Sequence, residues 1–178
     1  MIDWRELLML RLLRVLTAFR INKLLRTRGT VHPFTEYFKG FEKVKAIREI
    51  FGEKTEEILK KLNVEFTWVG GYMWVNGADG HLMISSKYLK TGDKTDIYLD
   101  IIHELVHVKQ LMEGKELFDT HYGYAERPTE VDAYRCAVDE ARNLGLSDER
   151  ICRYLRTEWM SDRDFKRLAR TLKLDCGS

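Results

Sequence analysis

Leu99-Asp100-Ile101-Ile102-His103-Glu104-Leu105-Val106-His107 is the stretch on which the reading of this chain turns. Leu99, Ile102 and Val106 recur at intervals of three and four, the period of an α-helix with an apolar side. The turn residues Thr91-Gly92-Asp93 open this helix near Lys94, and Gly114 stops it. Histidines spaced by four then lie on one face, one turn apart, with Glu104 projecting beside the first of them.

Upstream of this helix the period changes to two. Val64, Phe66 and Trp68 alternate with Glu65 and Thr67, Gly70-Gly71 offers a two-residue turn, and Tyr72 to Val75 resumes an extended apolar run. Asn76 to Gly80 is a second turn cluster before a third extended segment, His81 to Ser86, so the expectation is a three-stranded antiparallel meander. Before it, Phe38, Phe41, Val44, Ile47 and Phe51 give one helix over residues 34 to 51, and a further helix opens at Thr55. Downstream, a loop carrying Phe118, His121, Tyr122 and Tyr124 leads through Pro128 to a helix that ends before Gly145. Ser147-Asp148-Glu149-Arg150 has the capping-box form for a helix to Trp159, and Ser161 opens the last one. Helices flanking a small antiparallel sheet make the fold class α+β.

Composition bounds what such a domain can do. The chain has 178 residues, 44% hydrophobic and 33% charged, with only 2 Pro, which fits one packed soluble domain and excludes disorder or repeats. Lys and Arg total 30 against 28 Asp and Glu, a net of +2 that supplies no global pull toward nucleic acid. The one locally basic element is residues 1–30, an amino-terminal helical extension. Its arginines interrupt its apolar run, so it neither spans a bilayer nor has the form of a secretory signal. Residues 31–178 form the remaining domain. Cys136, Cys152 and Cys176 are too few and too widely spaced for a disulfide framework, which points to a reducing cytoplasm. A single glutamine and four asparagines beside abundant Lys, Glu and Arg match the bias of proteins from hot environments. There an intracellular Cys136–Cys152 bond becomes feasible.

The His103-Glu104-x-x-His107 pattern on a helix is the arrangement that binds Zn²⁺ through two imidazoles and leaves a carboxylate beside the metal's water. A catalytic zinc takes a third protein ligand, and no histidine follows at the metzincin spacing. The candidate is Glu130, on the next helix, with Asp132 as its rival; the two point about 200° apart, so only one can face the metal. Ala133 favours Glu130 because it lets the two helices approach.

HExxH followed some twenty residues later by a helix opening Glu-x-x-Ala resembles the gluzincins, and the compact layout is most similar to the archaeal minigluzincins. Over roughly Val64 to Leu144, the resemblance implies a zincin-like fold with an active-site helix and a glutamate helix. It implies His103, His107 and Glu130 as Zn²⁺ ligands, Glu104 as the general base and acid, and a peptide or protein as substrate. The strand His81 to Ser86 takes the place of the cleft-rim strand, along which an extended peptide pairs. One position departs from the pattern: where many gluzincins carry Asp or Asn to support a ligand histidine, this chain has Tyr134. That support then falls to the Tyr134 hydroxyl, to Asp100 or to Asp119.

Peptide hydrolysis also needs a donor for the developing oxyanion, and His121, Tyr122 and Tyr124 are the candidates on the intervening loop. Cys176 offers a thiolate that can occupy the open metal position and hold the enzyme latent through its tail. The terminal segments are also candidates for self-association. The competing reading is a non-catalytic zincin-like regulatory protein with a structural zinc and a basic helix for a partner. Glu104 argues against it, since a structural site needs no base beside the metal.

Overall fold

The structure, a computed structural model, describes residues 4–18, 20–21, 31–68 and 70–177. The expected boundary after residue 30 and the basic positions Lys23, Arg26 and Arg28 lie outside the described residues. Helix α1 (Trp4–Ala18) sets Leu12 and Val15 against the core, while Met9, Leu10 and Leu13 face outward. Leu8 fits over Gly145, where any Cβ would come within 2.9 Å of its side chain and where φ is +81°. Glycine is thus required there both for the left-handed turn and for the approach of α1. Among the described residues no helix is long and apolar enough to cross a membrane.

The single helix expected over residues 34 to 51 is broken. It begins as α2 (Phe34–Tyr37), passes through strand β3 (Phe38–Lys39) and a 3-10 turn, and resumes as α3 (Lys45–Phe51). Gly40, at φ +88°, sets the break, because a residue in that conformation cannot continue a right-handed helix. The apolar spacing still holds across it. Phe34, Tyr37, Phe38, Phe41 and Ile47 are all buried in one aromatic layer. Strand β1 (Arg20–Ile21) pairs with β3, and helix α4 (Thr55–Lys61) follows.

The main sheet is mixed and four-stranded, not a three-stranded antiparallel meander. Strands β2 (Val31–Pro33), β4 (Asn63–Thr67), β5 (Met73–Val75) and β6 (Leu82–Ser85) lie in the order β2-β4-β6-β5. β4 runs parallel to β6, pairing Val64 with Leu82 and Phe66 with Ile84. The antiparallel hairpin is β5 with β6, in the register Met73↔Ile84 and Val75↔Leu82. Its turn is closed by Asn76 N–H donating to His81 O at 2.9 Å and by Gly80 N–H donating to Asn76 O at 2.8 Å. The Gly70-Gly71 pair therefore does not join neighbouring strands. Burial fits the order: Leu82, Ile84 and Ser85 are buried and Met83 is half-buried, so β6 is covered on both faces as an inner strand is. A further consequence is that β6, expected at the cleft rim, has a strand on either side, and β5 is one of the two outer strands.

Helix α5 (Ser86–Thr91) leads into α6 (Lys94–Met112), capped by Asp93, whose carboxylate accepts from the amides of Thr95 and Asp96. Ile97, Leu99, Ile101, Ile102 and Leu105 leave α6 with no solvent-facing side in its middle turns. Helix α7 (Pro128–Asn143) packs along it through Ala133, Ala137 and Ala141, each fully buried. This stripe of methyl groups at intervals of four lets the helices lie close. Helices α8 (Asp148–Leu155) and α9 (Asp162–Thr171) complete the body.

Cys152 on α8 is disulfide-bonded to Cys176, their Cα atoms 5.5 Å apart, and Cys136 is the free, half-buried thiol. The expected Cys136–Cys152 pairing is thus replaced, and the bonded Cys176 has no thiolate to offer a metal. The bond closes a separation of 24 residues, which in the loop-entropy picture is worth about 3 kcal/mol. A Cys152→Ala/Cys176→Ala double variant should therefore melt about 6–12 °C below the oxidised parent in calorimetry. An unchanged melting temperature would mean that the tail is held by its other contacts.

Candidate metal centre

Helix α6 presents His103, Glu104 and His107, and α7 brings Glu130 into its first turn, one residue after Thr129 and two after Pro128 at N1. All four side chains are buried. His103 Nε2 and His107 Nε2 stand 3.0 Å apart, and Glu130 Oε2 lies 3.4 Å from the first and 3.6 Å from the second. Four-coordinate zinc with bonds of about 2.0–2.1 Å separates its ligand atoms by about 3.3 Å, so the triangle has the dimensions of three tetrahedral positions. Glu130 Oε2 is buried without a hydrogen-bond partner, although it faces both imidazoles. Two imidazole nitrogens and an unsatisfied carboxylate oxygen aimed at one point are a donor set for a cation. Asp132, the rival ligand, points away and is paired with Arg135 at 2.8 Å.

The charges show how tightly the cluster is coupled. Burial alone would depress His107, but the carboxylates of Glu130 and Glu104 outweigh it and hold the imidazole up at about 9. His103 is depressed by burial. Burial would raise Glu130, yet the two histidines pull it well below the usual carboxylate range. A proton on His107 thus balances Glu130, the task a divalent ion performs when bound. Glu104 is raised to about 8 by burial, with the charge of His107 opposing and those of Glu130 and Asp100 adding. The backbone amide of Val75, in β5, acts to lower it.

Support for the ligands comes from a residue with no place in the sequence expectation. Gln110 Oε1 is 2.8 Å from His107 Nδ1, and Gln110 Nε2 donates to Thr129 O at 3.0 Å. The only glutamine of the chain thereby fixes the His107 ring and ties α6 to the start of α7, one residue from Glu130. None of the three expected supports reaches His103, whose Nδ1 has no partner. Tyr134 packs its ring against His103 at 4.3 Å and bonds instead to Tyr124, Oη to Oη, at 2.9 Å. Asp100 accepts from Tyr88, and Asp119 accepts from the exposed His121.

The cluster opens into a cleft of about 390 Å³ walled by Met73, Trp74, Leu117, Phe118 and Trp159. Of the loop candidates only Tyr124 lines it. Tyr122 is exposed, and the His121 side chain is 90% exposed and turned to Asp119, so neither faces the metal position. Arg127, the N-cap residue of α7, does line the cleft, with Nη1 at 3.9 Å from Glu130 Oε1 and Nε donating to Asp119 O. Its position directly before Pro128 was the available signal: the residue before a helix-opening proline is extended and sits at the helix mouth.

Comparison with protein-family models, curated proteins and solved structures finds no match for this chain. The metal centre rests on its own geometry.

Two measurements follow from that geometry. Gln110→Ala should weaken metal affinity about 10- to 100-fold, and Glu130→Ala should weaken it further, both read by competition with a chelator of known affinity. Unchanged affinity in Glu130→Ala would remove it from the ligand set. Asp100, pushed up to about 7 by burial against the lowering effect of the Tyr88 hydroxyl, gives a pH signature in the metal-free protein. A carboxyl whose folded value lies above its unfolded one stabilises the protein below the unfolded value, and this is lost as pH rises from about 4 to 7. Asp100→Asn should therefore remove roughly 2–4 kcal/mol of the fall in unfolding free energy between pH 4 and pH 8, measured by urea titration. An identical pH profile in the variant would contradict it.

Proposed function

We propose that this chain is a zinc-dependent peptidase of gluzincin type, acting on peptides or unfolded protein segments. The observation that carries the reading is the placement of Glu104. It is buried, adjacent to a ligand histidine, outside the three-atom donor triangle, and open to the cleft. A zinc held only for structure has no use for a buried acid at that point, and leaving one there costs stability. Bound at the triangle, zinc would acidify a water and polarise a carbonyl.

The chain's own groups supply the rest. With zinc bound, Glu104 in its ionised form would take a proton from the attacking water and pass it to the leaving nitrogen. Tyr124 is the hydroxyl in the cleft able to donate to the developing oxyanion, and its bond to Tyr134 holds it in place. Of the two outer strands of the sheet, β5 is the one whose residues line the cleft, so an extended peptide can add to its edge. The apolar lips formed by Phe118 and Trp159, both more than half exposed, offer contacts to substrate side chains.

The zinc-loaded protein should hydrolyse casein, the chelated protein should not, and Glu104→Ala should retain zinc while losing at least about 100-fold in rate. Parental activity in Glu104→Ala would end the peptidase reading. Tyr124→Phe should lower kcat about 10- to 100-fold with little change in KM, since it removes one donor to the transition state.

A further inference from the structure

Behind the metal cleft lies a second, smaller chamber of about 140 Å³, which shares Tyr72, Met73, His103, Glu104, Tyr124 and Trp159 with it. Its far wall is polar and is drawn from α6 and from two elements outside the metal-binding pair. Asp100 lies one turn before Glu104 on α6, Tyr88 comes from α5, and Tyr154 and Thr157 come from the end of α8 and the turn after it. Tyr88 Oη donates to Asp100 Oδ2. Tyr154 Oη is directed at the same carboxyl, and Thr157 Oγ1 is buried without a partner. A buried hydroxyl with no partner beside a carboxyl is costly unless something polar reaches it.

The arginines near the chamber do not answer that carboxylate. Arg150 is paired with Asp93 and Asp96, Arg153 with Glu149, and Arg156 with Asp162 while lying over the Phe165 ring. Arg153 and Arg156 are also largely exposed, at 70% and 58%, and so stand at the rim. The interior therefore offers a carboxyl group and hydroxyl oxygens, and a cation to pair with that carboxyl has to come from outside. The separation of Asp100 from Glu104 along the helix is about 6 Å, close to the reach of an extended lysine side chain.

The geometry points to this chamber as a subsite for a lysine side chain of the substrate, whose ammonium group pairs with Asp100 and is hydrogen-bonded by Tyr154 and Thr157. An ammonium has three donors, which matches one carboxylate and two hydroxyl oxygens, and the unbranched stem passes between Met73, Tyr72 and Trp159. The assignment rests on the peptidase reading for placing the chamber next to the scissile bond, but binding tests it without any cleavage.

The full-length zinc-loaded protein is titrated in a calorimeter with N-acetyl-lysine N-methylamide and with the norleucine analogue, which has the same stem and no charge. The lysine derivative should bind about 10- to 100-fold more tightly. Asp100→Asn should abolish that ratio, and Thr157→Val should reduce it while Asp100 stays in place. Equal or tighter binding of the norleucine compound by the parent, or an unchanged ratio in Asp100→Asn, overturns the subsite. A pair of peptides differing only in lysine or norleucine beside the cleaved bond separates this from the peptidase reading. Lysine selectivity in binding with no cleavage of either peptide leaves the subsite standing and ends the peptidase reading. Cleavage of both at equal kcat/KM does the reverse.

Discussion

The close packing of α6 against α7 is the constraint on which everything else depends. Three buried alanines, Ala133, Ala137 and Ala141, leave no side-chain bulk between the helices, and the Gln110 amide reaches across to Thr129 O. Glu130 sits at the open end of this contact, so its carboxylate is delivered to the two imidazoles by backbone placement rather than by a flexible side chain searching for them. Rigid elements hold a donor triangle to tenths of an ångström in a way a loop does not. The same contact buries all four polar groups, and that is why their protonation is coupled. With water excluded, each charge is answered by its neighbour or lost.

Charge around the centre is arranged in two layers. Closest in, Glu130 and His107 neutralise each other. Further back along α6, Glu104 and Asp100 are both driven toward their neutral forms by burial, Glu104 also by the charges of Glu130 and Asp100, and Asp100 also by that of Asp96. A row of acids on one helix face would be unfavourable if all were ionised, and the protein handles it by surrounding them with tyrosines, which donate hydrogen bonds without adding charge. Tyr88, Tyr124, Tyr134 and Tyr154 are all pushed above the usual phenol range, chiefly by burial. They remain donors across the working pH range, so the site does not trade its hydrogen bonds for phenolates.

What was legible in the sequence was local. The helix period around His103 and His107, the capping by Asp93 and Ser147, and the stop at Gly114 all depend on neighbours within a turn, and they stand where the spacing puts them. Glu130 was legible because a helix converts sequence spacing into a face, and only one of Glu130 and Asp132 can share a face with Ala133. The sheet order was not, since Gly70-Gly71 reads as a hairpin turn while the pairing is decided by how much of β6 needs cover. Gly40 likewise breaks a helix whose apolar spacing continues undisturbed across the break. The Gln110 bridge and the tyrosine surroundings of Asp100 were hidden for a different reason. A polar residue on a helix face looks solvated until another element is known to cover it, and α7, α5 and α8 are that cover.

The helices beyond the metal-binding pair also acquire a purpose from this geometry. α8 is tied down in three independent ways: the Cys152–Cys176 bond, the pairing of Arg150 with Asp93 and Asp96 at the mouth of α6, and the burial of Ile151 and Leu155. Such anchoring exceeds what a surface helix of eight residues needs merely to stay folded. It does suit a wall. Tyr154 and Thr157 line the polar chamber opposite Asp100, and a wall that presents hydroxyls at set positions has to be held in place. The disulfide and the Arg150 pairs thus fix the wall that Tyr154 and Thr157 present to the chamber beside the His103–His107–Glu130 cluster, so the side chains lining it keep their positions independently of what binds there.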